Sequence, residues 1–189
     1  MSFDRNEALE RAMDLFWSQG YEGTGMTELL EHMGIQRQSF YNTFQSKSAV
    51  FQEAVGLYGH GMLERVTAEL DTRGNPVDNI RRVFRMMEQT ARESGFCGCL
   101  VGNAIAEFGH TDKTMAAFLK EYVGQVEDVF YRAFKRAVDG GYLPPEKDPR
   151  ALARTFVALS QGLALLSKLE LGAAAMKDVM KTAESLLDS

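Results

Sequence analysis

The chain of 189 residues is 45% apolar, holds four prolines and two cysteines, and carries a net charge of −5. That size suits two small domains, or one plus a small head, with a packed, mainly helical interior, and the acidic balance excludes a protein that coats nucleic acid through a broadly basic surface. Two cysteines build no disulfide framework, and neither an eighteen-residue apolar run nor a basic-then-apolar leader occurs, so the expectation is a soluble cytoplasmic chain with no membrane partner.

Leu9, Ala12, Met13, Phe16 and Trp17 recur at i, i+3, i+4, i+7 and i+8, which predicts a first helix of about three turns. Gly20-Tyr21-Glu22-Gly23-Thr24-Gly25 breaks it. Thr27 is placed to cap a short second helix, in which Leu29, Leu30 and Met33 face inward. Gly34 supplies the positive φ that ends a helix cheaply. Ile35 packs back into the core, and Phe40 and Phe44, four apart, give a third helix its buried stripe. Ser46 can cap a fourth helix, so Lys47 falls in its first turn, where exposed N–H groups and the positive dipole end favour a phosphate.

Two short helices joined by a glycine turn form the scaffold that lays its second helix in the DNA major groove. The outward residues here are Gln36, Arg37, Gln38, Ser39, Tyr41, Asn42 and Thr43. Arginine can fork onto guanine, glutamine or asparagine onto adenine, and hydroxyls onto phosphate oxygens. The charge of this region runs against that reading. Residues 1–55 hold Arg5, Arg11, Arg37 and Lys47 against eight acids, a balance of −4. A head of this kind must focus its positive charge at Arg37, Lys47 and helix N-termini, and make few phosphate contacts per subunit.

Gly20-Tyr21, Thr27 and the run Gly34-Ile35-Gln36-Arg37-Gln38-Ser39-Phe40-Tyr41-Asn42-Thr43-Phe44-Gln45-Ser46-Lys47 resemble the N-terminal signature of the TetR family of bacterial transcriptional repressors. The close match covers roughly residues 7–52, and later helices agree in length and order. The resemblance implies an all-α homodimer of about nine helices. A helix-turn-helix head over residues 1–48 would read double-stranded operator DNA, and residues 49–189 would bind a small-molecule effector and dimerise. By position, Arg37 and Gln38 are base readers, and Thr27, Ser39, Tyr41, Asn42 and Lys47 mainly hold phosphates. Glu28 departs from the pattern, since some members carry a base-reading arginine there; a carboxylate accepts only from cytosine N4.

The fourth helix runs from Lys47 to about Leu70 with Gly56, Gly59 and Gly61 inside it, each costing about 1 kcal/mol against alanine. Either close packing requires them or they weaken a connector that tilts the head. His60 between them reads as a surface histidine. After the loop Asp71–Pro76, Val77, Ile80, Val83, Phe84 and Met87 mark a fifth helix ending near Ser94-Gly95. Residues 96–108 read as a loop entering a buried helix. Met115 to Phe134 form a long seventh helix stopped by Gly140-Gly141 and Pro144-Pro145. Two last helices, about 149–169 and 173–187, are rich in small residues; in the resembled family they pair with their copies.

Three constellations outside the head invite chemistry. Cys97 and Cys99 are either buried packing thiols or a sensor of electrophiles or oxidants; their tight spacing and the shortage of partners argue against zinc, so no metal site is expected. Asn103 and Glu107, four apart in an apolar helix, must find partners, either an inter-helix bond or a ligand in an apolar pocket. Some of the Phe, Met and Tyr side chains of helices five and seven should line whatever cavity exists. Catalytic signatures are absent, so neither catalytic residues nor cofactors are expected. The expected function is a dimeric repressor on an inverted-repeat operator, released by a small molecule or thiol-reactive signal. The rival is a helical thiol or small-molecule sensor whose acidic head docks protein without binding DNA.

Overall fold

The computed structural model describes residues 3–92, 97–169 and 173–188. Among them the fold is all-α: α1 (Arg5–Gly23), α2 (Met26–Met33), α3 (Arg37–Phe44), α4 (Lys47–Leu70), α5 (Pro76–Ala91), α6 (Leu100–Phe108), α7 (Lys113–Asp139), α8 (Pro149–Leu166) with a 3₁₀ turn at Ser167–Leu169, and α9 (Ala173–Ser185). No described helix is long and apolar enough to cross a membrane.

The chain divides into two compact units, one made of the described residues of Met1–Gly61 and Cys99–Leu119, the other of those of Met62–Gly98 and Lys120–Ser189. In the sequence, α4 and α7 each run from one unit into the other. The first unit therefore holds α6 and the start of α7 together with the three N-terminal helices.

In that unit α1 starts on Asp4, whose carboxylate accepts from the N–H groups of Asn6 and Glu7 at 2.8 and 3.1 Å. The predicted break falls at Gly20, which takes φ 76° and ψ 173° before the helix resumes for one turn. Thr24 closes that turn, its buried hydroxyl donating to the Gly20 carbonyl at 2.7 Å. Leu9, Ala12 and Phe16 are buried as expected, but Met13 and Trp17 are only half-buried, and Ala8 and Leu15 complete the inner stripe. Leu15 shares a face with Ala8 and Ala12 by i, i+3, i+4 spacing, whereas Trp17 meets Tyr58 edge-on at 5.3 Å. Phe16, Leu29, Phe40, Phe44, Val50 and Phe51 form the sealed centre, with Phe16 edge-on to Phe51 at 5.0 Å.

The second unit packs α5, the later part of α7, α8 and α9 around Ile80, Phe84, Phe130, Phe134 and Phe156, the last ring standing edge-on to Phe84 and Phe134 at 4.6 and 5.0 Å. α5 and α8 open on side-chain caps: Asn75 accepts from Val77 N–H, and Asp148 from Arg150 and Ala151. Buried Asn79 donates to the carbonyls of Leu70 and Thr72, and Arg136 also donates to Leu70, so the last carbonyl of α4 is satisfied by side chains. α7 ends at Gly140-Gly141 as expected, with Gly141 at φ 71°. Of the aromatic and Met stripes, Phe84, Phe130 and Phe134 are core, and Met86, Met87 and Tyr131 pack half-buried against it.

Three expectations change in detail. α5 is described to Ala91, and the expected end at Ser94-Gly95 lies outside the described residues. α6 is not wholly buried: Leu100, Val101 and Ala104 face inward, while Ile105 and Ala106 are exposed, since so short a helix turns only one face to its neighbours. Within α4, close packing does not explain two of the glycines. A Cβ on Gly56 would rest at an ordinary 3.6 Å from Phe118, and one on Gly61 would meet nothing within 4 Å.

Candidate nucleic-acid interface

The turn between α2 and α3 is built by Gly34 in the left-handed conformation, φ 70° and ψ 29°. Its N–H donates to Glu31 O, and Ile35 N–H reaches back to Leu30 O at 3.1 Å, so the last carbonyls of α2 are satisfied while the chain reverses. α3 opens on Gln36 and buries Phe40 and Phe44. That fixes which face looks out: Gln36, Arg37, Gln38, Tyr41 and Asn42 are exposed, and Ser39, Thr43 and Lys47 are half-buried at its margins. Gln38 Nε2 donates to Asn42 Oδ1 at 3.2 Å, one turn on, so two amides stand together in the middle of the face. An open groove of about 410 Å³ runs along the turn, lined by Thr27, Leu30, Glu31, Gly34, Ile35, Gln36 and Arg37.

The expected cap at Thr27 is incorrect. Gly25 is the N-cap of α2, without a side-chain bond, and Thr27 sits exposed within the first turn. Glycine takes the extended cap conformation nearly as well as a hydroxyl residue would, and nearby Thr24 is committed to Gly20. Ser46 behaves as expected, its Oγ accepting from Ala49 N–H at 3.0 Å, and Lys47 is the first residue of α4.

Pairing leaves the acidic excess unchanged but decides which cations are held by acids. Arg5 is bound to Glu53 and Arg11 to Glu7. Glu28 lies beside Gln19, which donates to it at 2.7 Å, and the start of a helix suits its charge. Arg37 makes no ion pair among the described residues. Lys47 has its ammonium over the Tyr21 ring, 4.2 Å from the centroid. The two cations on the α3 side of the head are therefore held by no carboxylate among the described residues, while two of the eight acids, Glu7 and Glu53, are paired with arginines elsewhere.

The remaining candidates scatter. Cys97 and Cys99 are half-buried, and Cys99 is the N-cap of α6. Between them Gly98, at φ 78°, lies so close to Ala164 O and the Lys168 stem that a Cβ would meet them at 3.1 and 2.9 Å. Asn103 is half-buried on α6. Glu107 faces the head, its Oε2 accepting from Tyr21 N–H at 3.1 Å, which realises the inter-helix alternative. About 12 Å of helix separates it from Cys99 at 1.5 Å per residue. The contacts of Tyr21 with Lys47 and Glu107 were not foreseen in the sequence; Gly20-Tyr21 marks the break, but nothing local names a partner 86 residues away.

A helix-turn-helix head with a polar, cation-bearing second helix, followed by a longer helical region, defines a class of DNA-reading regulator. Residues 8–54 match the family model described as bacterial regulatory proteins, tetR family, and residues 65–183 match the tetracyclin repressor-like C-terminal domain. The uncharacterized HTH-type transcriptional regulator YezE of Bacillus subtilis is 33% identical across 98% of this chain and 97% of its own. The HTH-type transcriptional repressor ComR of Escherichia coli is 25% identical across 88% of this chain and 80% of its own. Among solved structures, a cysteine mutant of the TetR family transcriptional regulator CifR, complexed with 26-bp operator DNA, superposes with a TM-score of 0.85 at 28% identity, covering 98% of this chain and 97% of that one. The chain belongs to the TetR family of bacterial transcriptional regulators.

Proposed function

We propose that this regulator is a repressor that grips an inverted-repeat operator as a homodimer and lets go when an effector binds its helical body. The observation that carries the reading is the outer face of α3: Arg37, Gln38 and Asn42 stand exposed and close together, with Arg37 uncommitted to any acid among the described residues. Arg37 suits the O6/N7 edge of guanine and Gln38 that of adenine. Thr27, Gln36, Ser39 and Tyr41 border the face with hydroxyls and an amide for phosphate oxygens, Asn42 offers its amide to a phosphate from beside Gln38, and Lys47 adds an ammonium at a helix start. Residues 1–48 are the DNA-reading part and residues 49–189 the effector-binding and pairing part. That CifR was captured on operator DNA, and that ComR carries the name of a repressor, support the same reading; nothing comparable supports a sensor acting through protein contacts alone.

Pairing is supported by α8 and its 3₁₀ extension. Ala158 and Leu165 are exposed on one stripe with Leu169, which is 71% exposed, and Gly162 within it has open space where a Cβ would stand. Large apolar side chains left in water on a helix rich in small residues suit a second copy of the same surface. For the signal, Cys99 at the start of α6 supports a thiol-reactive route, and the half-exposed apolar side of that helix supports a non-covalent ligand. The test is a gel-shift with the DNA flanking this chain's own coding sequence. Binding that an excess of unrelated duplex does not remove is expected, and binding abolished by any competitor would refute it.

A further inference from the structure

We propose that Glu107 is a positioning residue for DNA binding: by holding Tyr21 from α6, it keeps the platform on which Lys47 is aimed at a phosphate. The inference rests on the reading of the head as a DNA grip and adds to it a residue outside the helix-turn-helix.

At Gly20 the helix α1 is interrupted, and Tyr21 N–H donates to Glu107 Oε2 instead of continuing the helix. The other carboxylate oxygen lies 2.7 Å from where a Cβ on residue 20 would stand, and at φ 76° that position tolerates little but glycine. The kink and the carboxylate therefore fit each other. The Tyr21 ring is then locked by three others: Phe16 stacks on it at 6.2 Å, and Phe51 and Phe108 meet it edge-on at 5.1 Å each. Phe108 neighbours Glu107 on α6, so the same helix holds both the backbone and the ring of Tyr21. Burial, with the Glu22 carboxylate nearby, pushes the Tyr21 phenol's pKa above its ordinary value, which favours the neutral ring.

Lys47 Nζ sits 4.2 Å above this ring. Arg5 and Arg11 show the contrast, since each is held by a carboxylate that cancels its charge. A π face orients a cation without neutralising it. Lys47 is thus placed at the start of α4 with its full charge available for a phosphate, and its placement is only as firm as Tyr21. Loss of Glu107 leaves the Tyr21 N–H without this acceptor at the kink, loosening the platform and with it the aim of the ammonium.

The experiment measures fluorescence anisotropy of a labelled duplex from upstream of the chain's own coding sequence across a salt series. Wild type, Glu107→Ala, Glu107→Gln, Lys47→Ala and the Glu107→Ala, Lys47→Ala double variant are compared. Lys47→Ala should flatten the slope of log affinity against log salt by about 0.9 per subunit. Glu107→Ala should weaken binding roughly tenfold, the size of one charge-assisted hydrogen bond, and flatten the slope the same way. Glu107→Gln should restore both, because its carboxamide oxygen still accepts from Tyr21 N–H. In the double variant Glu107→Ala should add nothing to Lys47→Ala. An unchanged slope in Glu107→Ala, or a full additional loss in the double variant, overturns the proposal. Should Glu107→Ala unfold, Tyr21→Leu keeps an apolar side chain among the rings but removes the π face, and must flatten the slope alone; an unchanged slope there is equally fatal. If wild-type protein binds no such duplex, the repressor reading itself falls, and this inference with it.

Discussion

Replacing Gly20 by alanine should destabilise the head far more than a surface substitution does. Its φ of 76° and ψ of 173° lie in a region essentially reserved for glycine, so an alanine forced there carries roughly 1–3 kcal/mol of backbone strain. Its Cβ would also stand 2.7 Å from Glu107 Oε1, which expels the carboxylate. Losing the bond to Tyr21 N–H adds about 1.5–3 kcal/mol, the usual worth of a hydrogen bond to a charged group. The combined expectation is roughly 3–5 kcal/mol, measured as a shift in the urea midpoint at constant slope. Gly61→Ala is the control: the position is helical, nothing lies within 4 Å of the added carbon, and alanine should stabilise by up to about 1 kcal/mol. A loss under about 1 kcal/mol for Gly20→Ala, or equal effects at both glycines, would refute the account of the kink.

Leu165→Glu places a carboxylate on the exposed stripe of α8 and should give monomers in size-exclusion runs with weakened operator binding; retained dimers would put the pairing surface elsewhere. An enone tests the thiol route: a cysteine sulfur attacking its β-carbon forms a C–S bond, and the resulting enolate takes a proton from water. Release of DNA from wild type but not from the Cys97→Ser, Cys99→Ser double variant supports sensing, whereas equal behaviour of the two proteins makes the cysteines packing residues and the effector a non-covalent ligand.

The head is legible in the sequence because each of its signals is local. Gly34 announces the left-handed turn, Phe40 and Phe44 fix the inner stripe of α3, and Ser46 marks the next helix start; together these leave only one outward face. Local signals fail where neighbours compete or partners are distant. Thr27 resembles a cap, but the helix starts one residue earlier than its position suggests and the cap falls to Gly25. The apolar run of α6 reads as buried throughout, because composition does not tell that a helix of this length covers itself on one side only. Glu107 reads as a polar group in need of a partner, which is correct, but the partner is a backbone N–H freed by a kink 86 residues earlier. The acidic balance counts charges without their positions, and so misses that Arg5 and Arg11 are held by acids while Arg37 is in no ion pair among the described residues.

The most direct test of DNA reading by α3 is the affinity of wild type and Arg37→Ala for the native upstream duplex and for duplexes altered one base pair at a time. Wild type should discriminate at each half-site, and Arg37→Ala should lose about 1–3 kcal/mol on the native duplex while becoming indifferent at one base pair of each half-site. Equal weakening of Arg37→Ala on every duplex, with discrimination intact, would contradict the claim that this arginine reads sequence from the outer face of α3.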